Sequence, residues 1–133
     1  MKLSKIEIEV KSIAEKIKAS NHLLPTFKYS IGDGTPNIEI DDLGLFHYVI
    51  SERGNEYDRK IFNDKYELFY CIFSSITFNI ACDYELKNRI ENQDCRKIIF
   101  EKQTELMSFI DSSWKAKIEK EHFNTLSNYP FNH

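Results

Sequence analysis

Three cysteines, Cys71, Cys82 and Cys95, are too few and wrongly spaced to frame a metal site or a disulfide network in a chain of 133 residues. They form no C-x-x-C pair and no spacing that zinc uses, and their number is odd, so they read as buried free thiols of a reducing compartment. Basic excess is also missing: 18 Lys and Arg against 21 Asp and Glu leave a net charge of -3. A nucleic-acid binder would show a basic stripe, whereas this balance leans slightly toward a basic partner. No apolar run reaches the roughly 20 residues that a bilayer-spanning helix needs. The longest, from Leu68 to Cys82, contains Ser74, Ser75, Thr77 and Asn79. The opening MKLSKIEIEVKSIAEK interleaves charges with apolar residues and has no continuous apolar core of a secretory signal. The expectation is a cytoplasmic protein without a membrane segment. A chain of this length buries roughly two thirds of its unfolded surface, enough for one domain over residues 1–133 without metal or disulfide.

Motifs of catalysis are lacking as well. There is no G-x-S-x-G elbow, no H-E-x-x-H, and no phosphate-binding glycine loop, since Gly32-Asp33-Gly34 has neither the strand-to-helix setting nor the lysine. Glu119-x-x-His122 is half of a di-iron pattern that requires a second copy and two further carboxylates. His47, with Glu52 and Glu56 nearby, has the chemistry of a base or ligand, but a histidine between Phe46 and Tyr48 is more simply a packed strand residue. The residues therefore predict no catalytic group, no metal and no cofactor, and by themselves leave the function open.

What the chain does have is one long apolar segment, Asp64 to about Glu91. Phe69, Phe73, Ile76, Ile80 and Tyr84 follow one helical face, and Cys71, Phe78 and Cys82 a second, so this helix should be wrapped nearly all round. Asp64 and Glu67 are placed as a cap and reciprocal cap. Ser4 and Glu7 mark a first helix, about Lys5 to Ala19, with Ile6, Val10, Ile13, Ala14 and Ile17 as its apolar stripe. Phe27, Tyr29 and Ile31 alternate in a way that suits a short strand. From Asn37 the period is two: Ile38 and Ile40, a turn at Asp41-Asp42-Leu43-Gly44, a strand from Leu45 to Ser51, a turn at Gly54, and a strand from about Glu56 to Phe62. Asp94 caps a helix carrying Ile98, Ile99, Phe100, Leu106, Phe109 and Ile110, and a last helix, about Trp114 to Leu126, offers Trp114, Ile118, His122 and Phe123 to the core. The chain then ends in the extended Tyr129-Pro130-Phe131. The class is α+β, mostly α: an N-terminal helix, a small antiparallel meander of two to four strands, a long buried central helix and two further helices. One face of the sheet should pack on that central helix.

Several blocks together resemble one family. They are Phe46 to Glu56 (FHYVISERGNE), Ile76-Thr77-Phe78, Tyr84 to Arg89 (YELKNR), Asp94-Cys95-Arg96, Phe100 to Gln103 (FEKQ) and Tyr129-Pro130-Phe131. The chain, from about Asn37 to Phe131, is similar to the immunity protein 63 family of bacterial polymorphic toxin systems. The resemblance implies a cytoplasmic antidote, without catalysis, that binds the C-terminal domain of a cognate toxin tightly and blocks it. A small regulatory or scaffold protein with another cellular partner is the alternative. The first 36 residues carry little of the resemblance.

Loops carry variable recognition, so the partner-binding residues expected here are Asp41, Asp42, Glu52, Arg53 and Glu56, in the two turns of the meander. The Asp41-Asp42 end, with solvated charges, is the expected contact for a basic toxin such as a nuclease. The two turns should lie too far apart to form one compact site. Tyr84, Glu85, Arg89, Asp94 and Arg96 are expected to pin the corner after the central helix, with contact to the partner as their other reading. Glu85 and Arg89 have the favourable i, i+4 order for an ion pair.

Overall fold

A computed structural model describes residues 2–132, and its α+β, mostly α architecture matches the expected class: among the described residues, four helices and one three-stranded sheet. The chain forms two compact units, Met1–Ile72 and Phe73–His133, and the division falls inside the longest helix.

The first unit begins with α1, Leu3–Lys16, whose buried positions Ile6, Val10 and Ala14 recur every four residues. It starts earlier than expected, so Ser4 lies inside the first turn and does not cap it. Glu7 pairs instead with Lys11 at 2.9 Å. The helix also stops short of Ala19. Lys18 takes φ +57°, and the amides of Ala19 and Lys18 donate to the carbonyls of Ala14 (2.9 Å) and Glu15 (3.1 Å). These two bonds close the helix as a Schellman motif.

Phe27 to Ile31 is not a strand, contrary to its alternation. None of these residues pairs; the flanking Thr26 makes a parallel bridge to Asn37 and Asp33 an antiparallel bridge to Glu52. Phe27 turns inward and Tyr29 and Ile31 stay exposed, because the chain leaves the sheet edge as soon as the Thr26 bridge is made. The antiparallel sheet has the order β1 (Asn37–Ile40), β2 (Phe46–Glu52), β3 (Asn55–Phe62). Arg53 (φ +51°) and Gly54 (φ +82°) form the two-residue reversal between β2 and β3, the twist-matched kind that requires positive φ at both central positions. Ile38 faces Tyr48, and Ile40 faces Phe46, which faces Phe62 in turn; Ile38, Phe46 and Tyr48 on this side are buried. The other side carries Glu39, His47, Arg59 and Ile61.

A bulge interrupts the second pairing: Asp58 faces Ile50, Glu56 faces Ser51, and Tyr57 is the extra residue. Because strand side chains alternate, one inserted residue moves everything beyond it to the other face. Glu56 thereby joins Arg59 on the polar side.

Helix α2, Lys65–Lys87, is capped by the Asp64 carboxylate, which accepts the Glu67 amide at 2.8 Å. Within the first unit Leu68, Phe69, Tyr70 and Ile72 are buried, and Lys65 Nζ reaches Glu9 of α1 at 3.0 Å.

In the second unit the burial of α2 narrows. Phe73, Ile76, Thr77, Ala81 and Glu85 are buried, but Phe78, Tyr84 and Leu86 are exposed. The helix is thus wrapped only over its first half. The polar Ser75, Asn79 and Asp83 are exposed on the same side as Phe78. The thiols follow suit: all three are free, yet Cys71 and Cys82 are only half-buried and Cys95 is exposed. Helices α3 (Arg96–Ile110) and α4 (Trp114–Asn128) pack on one another. They bury Ile99, Gln103, Met107, Trp114 and Ile118, and Trp114 stacks on Phe73 with centroids 6.4 Å apart. Phe123, expected in the core, is exposed. It falls one position beyond the Trp114, Ile118, His122 course and so about 100° around the helix from it. Among the described residues no helix is long and apolar enough to cross a membrane.

Candidate functional site

The polar face of the sheet in the first unit holds a connected row of charged and imidazole groups. Asp41 follows β1 and organises the turn: Oδ1 accepts the amides of Leu43 and Leu45, both at 2.9 Å. Its Oδ2 lies 2.7 Å from His47 Nε2. Across the ring, His47 Nδ1 is 2.8 Å from Arg59 Nη1. A guanidinium cannot accept a hydrogen bond, so Nδ1 is the acceptor and the imidazole proton sits on Nε2, donated to Asp41. Arg59 also donates to Glu56 in a two-pronged contact (2.9 and 2.7 Å) and to Glu39 at 3.2 Å.

The geometry sets the charges. The hydrogen bond from His47, and then the Leu45 amide, hold the Asp41 carboxyl below its ordinary pKa. The Arg59 contact does the same for Glu56, and Glu56 in turn raises Arg59. Two carboxylates, Glu56 and Glu39, surround the one guanidinium, and Asp41 adds a third at the far side of the imidazole, which leaves the face acidic.

One expectation changes here. Asp41 is not a free solvated charge; its oxygens are occupied by the turn and the imidazole, and only Asp42 stands unconstrained and exposed. The two turns stay at opposite ends of β2, but a row of contacts runs between them. Asp41 and Glu56 are joined through His47 and Arg59, because the bulge returns Glu56 to this face and Arg59 reaches both ways. Of the remaining expected contacts, Glu52 lies against Gly34, whose added Cβ would meet Glu52 Oε1 at 3.0 Å. The Arg53 amide is bonded to the Gly32 carbonyl at 2.9 Å, with its side chain exposed at the reversal. Arg59 and Glu39, which hold the row together, were not legible in the sequence; a bulge that flips one carboxylate leaves no periodic trace.

The corner residues of the second unit form two separate pairs. Glu85, 3% exposed, receives Arg89 through both oxygens at 3.0 and 2.9 Å, which lowers its pKa. Tyr84 lies apart from them under Lys102, whose Nζ is 4.7 Å from the ring centre. Asp94 does cap α3: Cys95 already has helical angles, and Asp94 Oδ1 accepts the Arg96 amide at 2.9 Å. The Arg96 side chain returns to Asp94 at 2.8 Å and donates to the carbonyls of Tyr129 (2.7 Å) and Pro130 (2.9 Å). Its guanidinium lies 5.5 Å from the Phe131 ring centre. The blocks Asp94-Cys95-Arg96 and Tyr129-Pro130-Phe131, 33 to 37 positions apart, are thus one structural unit that straps the chain end to the start of α3. Arg96 holds the Asp94 carboxyl well below the usual carboxylate range.

His122 stacks on Phe100 with centroids 4.0 Å apart, and its Nε2 lies 2.7 Å from Gln103 Oε1. Among the described residues no group of three or more His, Cys, Asp or Glu could hold a metal ion. A groove of about 660 Å³ in the first unit is lined by Glu7, Lys11, Tyr29 and Ile31 among others, and one of about 240 Å³ in the second by Tyr84, Ile98 and Lys102 among others. Neither is lined by His47, Glu52 or Glu56.

The molecule is thus a small α+β protein whose charged groups engage one another across a sheet face. The sequence pattern of immunity protein 63 matches residues 41–124, more than half of the chain, and the protein belongs to that family. Membership makes it an immunity protein, whose partner is a toxin. The match covers the row from Asp41 to Arg59 and the pairs from Glu85 to Arg96, and leaves out the first 40 residues and Tyr129–Phe131. Comparison with curated proteins and with solved structures gave no match.

Proposed function

We propose that residues 1–133 act as one cytoplasmic immunity domain that binds the C-terminal domain of its cognate toxin without catalysis and blocks it. The observation that carries this reading is the family match over residues 41–124. The occupied state of the groups that a catalyst would need supports it: His47 has both ring nitrogens engaged and Glu56 both oxygens. Since a few free toxin molecules can kill, affinity is nanomolar or tighter, on the order of -12 kcal/mol. The acidic sheet face, with Asp42 at its rim and Glu39 and Glu56 beside it, suits a basic toxin domain such as one that acts on nucleic acid, and would speed encounter at low salt. Glu52 and Arg53 extend this surface at the second turn, and Tyr84 and Arg89 offer the next surface to test.

The experiment is coexpression with the C-terminal domain encoded by the reading frame just upstream. Protection of the cells is expected, together with a stable complex. A toxic domain that is neither bound nor neutralised would end this reading and leave a regulatory or scaffold role. For the contact surface, Asp42→Lys should slow association most at low salt while the melting temperature stays put; an unchanged rate at low salt would remove the sheet face as the steering surface.

A further inference from the structure

Strand β3 is an edge of the sheet, since among the described residues the order β1-β2-β3 leaves its outer side without a neighbouring strand. Seven of its eight residues are exposed and the last is half-buried. Tyr57 and Ile61 stand 65% and 54% exposed. Long edges with exposed apolar side chains are templates for further strand pairing, and proteins usually shorten or cover them.

The residues of this edge complement themselves. If two copies of Asn55–Phe62 run antiparallel about a two-fold axis at Arg59, Tyr57 of each faces Ile61 of the other and Asp58 of each faces Lys60. The apolar pair and the charged pair nearest the centre then each form twice over, while further out Glu56 of each faces Phe62 of the other and stays on the Arg59 of its own chain. Directly opposed pairs of these kinds stabilise a sheet, whereas opposed like charges oppose it. The one like-charged meeting is Arg59 with its copy, and each guanidinium is already matched by Glu56 and Glu39 of its own chain. The bulge falls at Tyr57, so Asp58, Arg59 and Lys60 at the centre lie on regular strand. A two-fold interface needs one patch that is its own complement, and the sequence of β3 provides it.

We propose that β3 is a homotypic docking edge, through which two copies of this chain join their sheets into one of six strands. A single pair of strand edges buries less than the roughly 1,600 Å² of a standard interface, so the dimer dissociates on dilution. It stands independently of the toxin assignment.

The test is sedimentation equilibrium of the full chain over a series from micromolar to millimolar concentration. The mass should rise from 15.8 kDa toward twice that value. Asp58→Lys places lysine opposite Lys60, and Lys60→Asp places aspartate opposite Asp58; each should weaken the dimer roughly tenfold or more. The double variant Asp58→Lys/Lys60→Asp restores opposite charges across the axis and should dimerise again. Amide hydrogen exchange along β3 of the native chain should slow as its concentration rises. A chain that stays monomeric throughout, single variants that dimerise like the native protein, or a folded double variant that fails to recover would each overturn the proposal. So would protection of β3 that appears only when the toxin domain is added.

Discussion

Replacing Gln103 by methionine tests the polar link buried in the second unit. Gln103 is 3% exposed, yet its amide donates to the Ser74 carbonyl at 2.9 Å and accepts from His122 Nε2 at 2.7 Å. Methionine keeps the length of the side chain and removes both bonds. The imidazole N–H is then stranded against a thioether. The Ser74 carbonyl loses less, because the Thr77 hydroxyl also approaches it at 3.3 Å. At about 1–3 kcal/mol for each buried group left unpaired, the two together cost about 2–3 kcal/mol. For a chain of this size each kcal/mol moves the melting temperature by about 3–5 °C, so a fall of about 10 °C is expected by circular dichroism. The pH dependence has a definite sign. Burial holds the His122 pKa below its ordinary value, so as pH drops through about 6.5 the unfolded chain takes up a proton that the folded chain refuses. Stability is therefore present above that pH and lost below it, until the lower folded pKa is passed. His122→Gln removes the titrating group, and its melting temperature should shift less between about pH 7.5 and 5.5 than that of the native chain. A Gln103→Met protein that melts within about 2 °C of native would show that the buried link contributes nothing.

Other substitutions probe the frame around the site. Phe73→Asp or Ile76→Asp buries an uncompensated carboxylate at a position 0% or 1% exposed, costs about 5 kcal/mol or more and should abolish cooperative melting; soluble variants that melt normally would misplace the core. Lys18→Gly relieves the left-handed backbone at φ +57° and should raise the urea midpoint through about 1 kcal/mol of added stability, a gain that would be absent if the helix end frays. Asp41→Ala, which strips two amides and His47 of their acceptor, should lower the melting temperature, whereas Asp42→Ala should not; equal effects would mean the turn is not held as described. Thiol titration should return three reactive cysteines under denaturing, non-reducing conditions. In the native protein exposed Cys95 should react first and Cys71 more slowly, because burial raises its pKa.

Much of this molecule was written locally. The alternation from Asn37 to Phe62 and the positive-φ requirement at Gly54 were enough to place the three strands and their order, since each depends on residues within a few positions of one another. The Asp64 and Asp94 caps and the Glu85 to Arg89 pair were legible for the same reason: an acceptor two or three positions before an amide, or opposite charges four positions apart on a helix, meet whatever the rest of the chain does. Local rules failed where a competing local solution was closer, as at α1, where the turn at Lys18 ended the helix before Ile17 and Ala19 could extend it. Tertiary structure alone decided the rest. How far around α2 the burial extends depends on which elements arrive to cover it, so Phe78 and Tyr84 remained exposed despite their periodicity. The Arg96 strap joins residues 33 and 34 positions apart, and the Asp41, His47, Arg59, Glu56 row exists because one bulged residue at Tyr57 turns Glu56 onto the face of Arg59. Neither spacing repeats in the sequence, because long-range contacts are set by where strands and helices meet and not by any period along them.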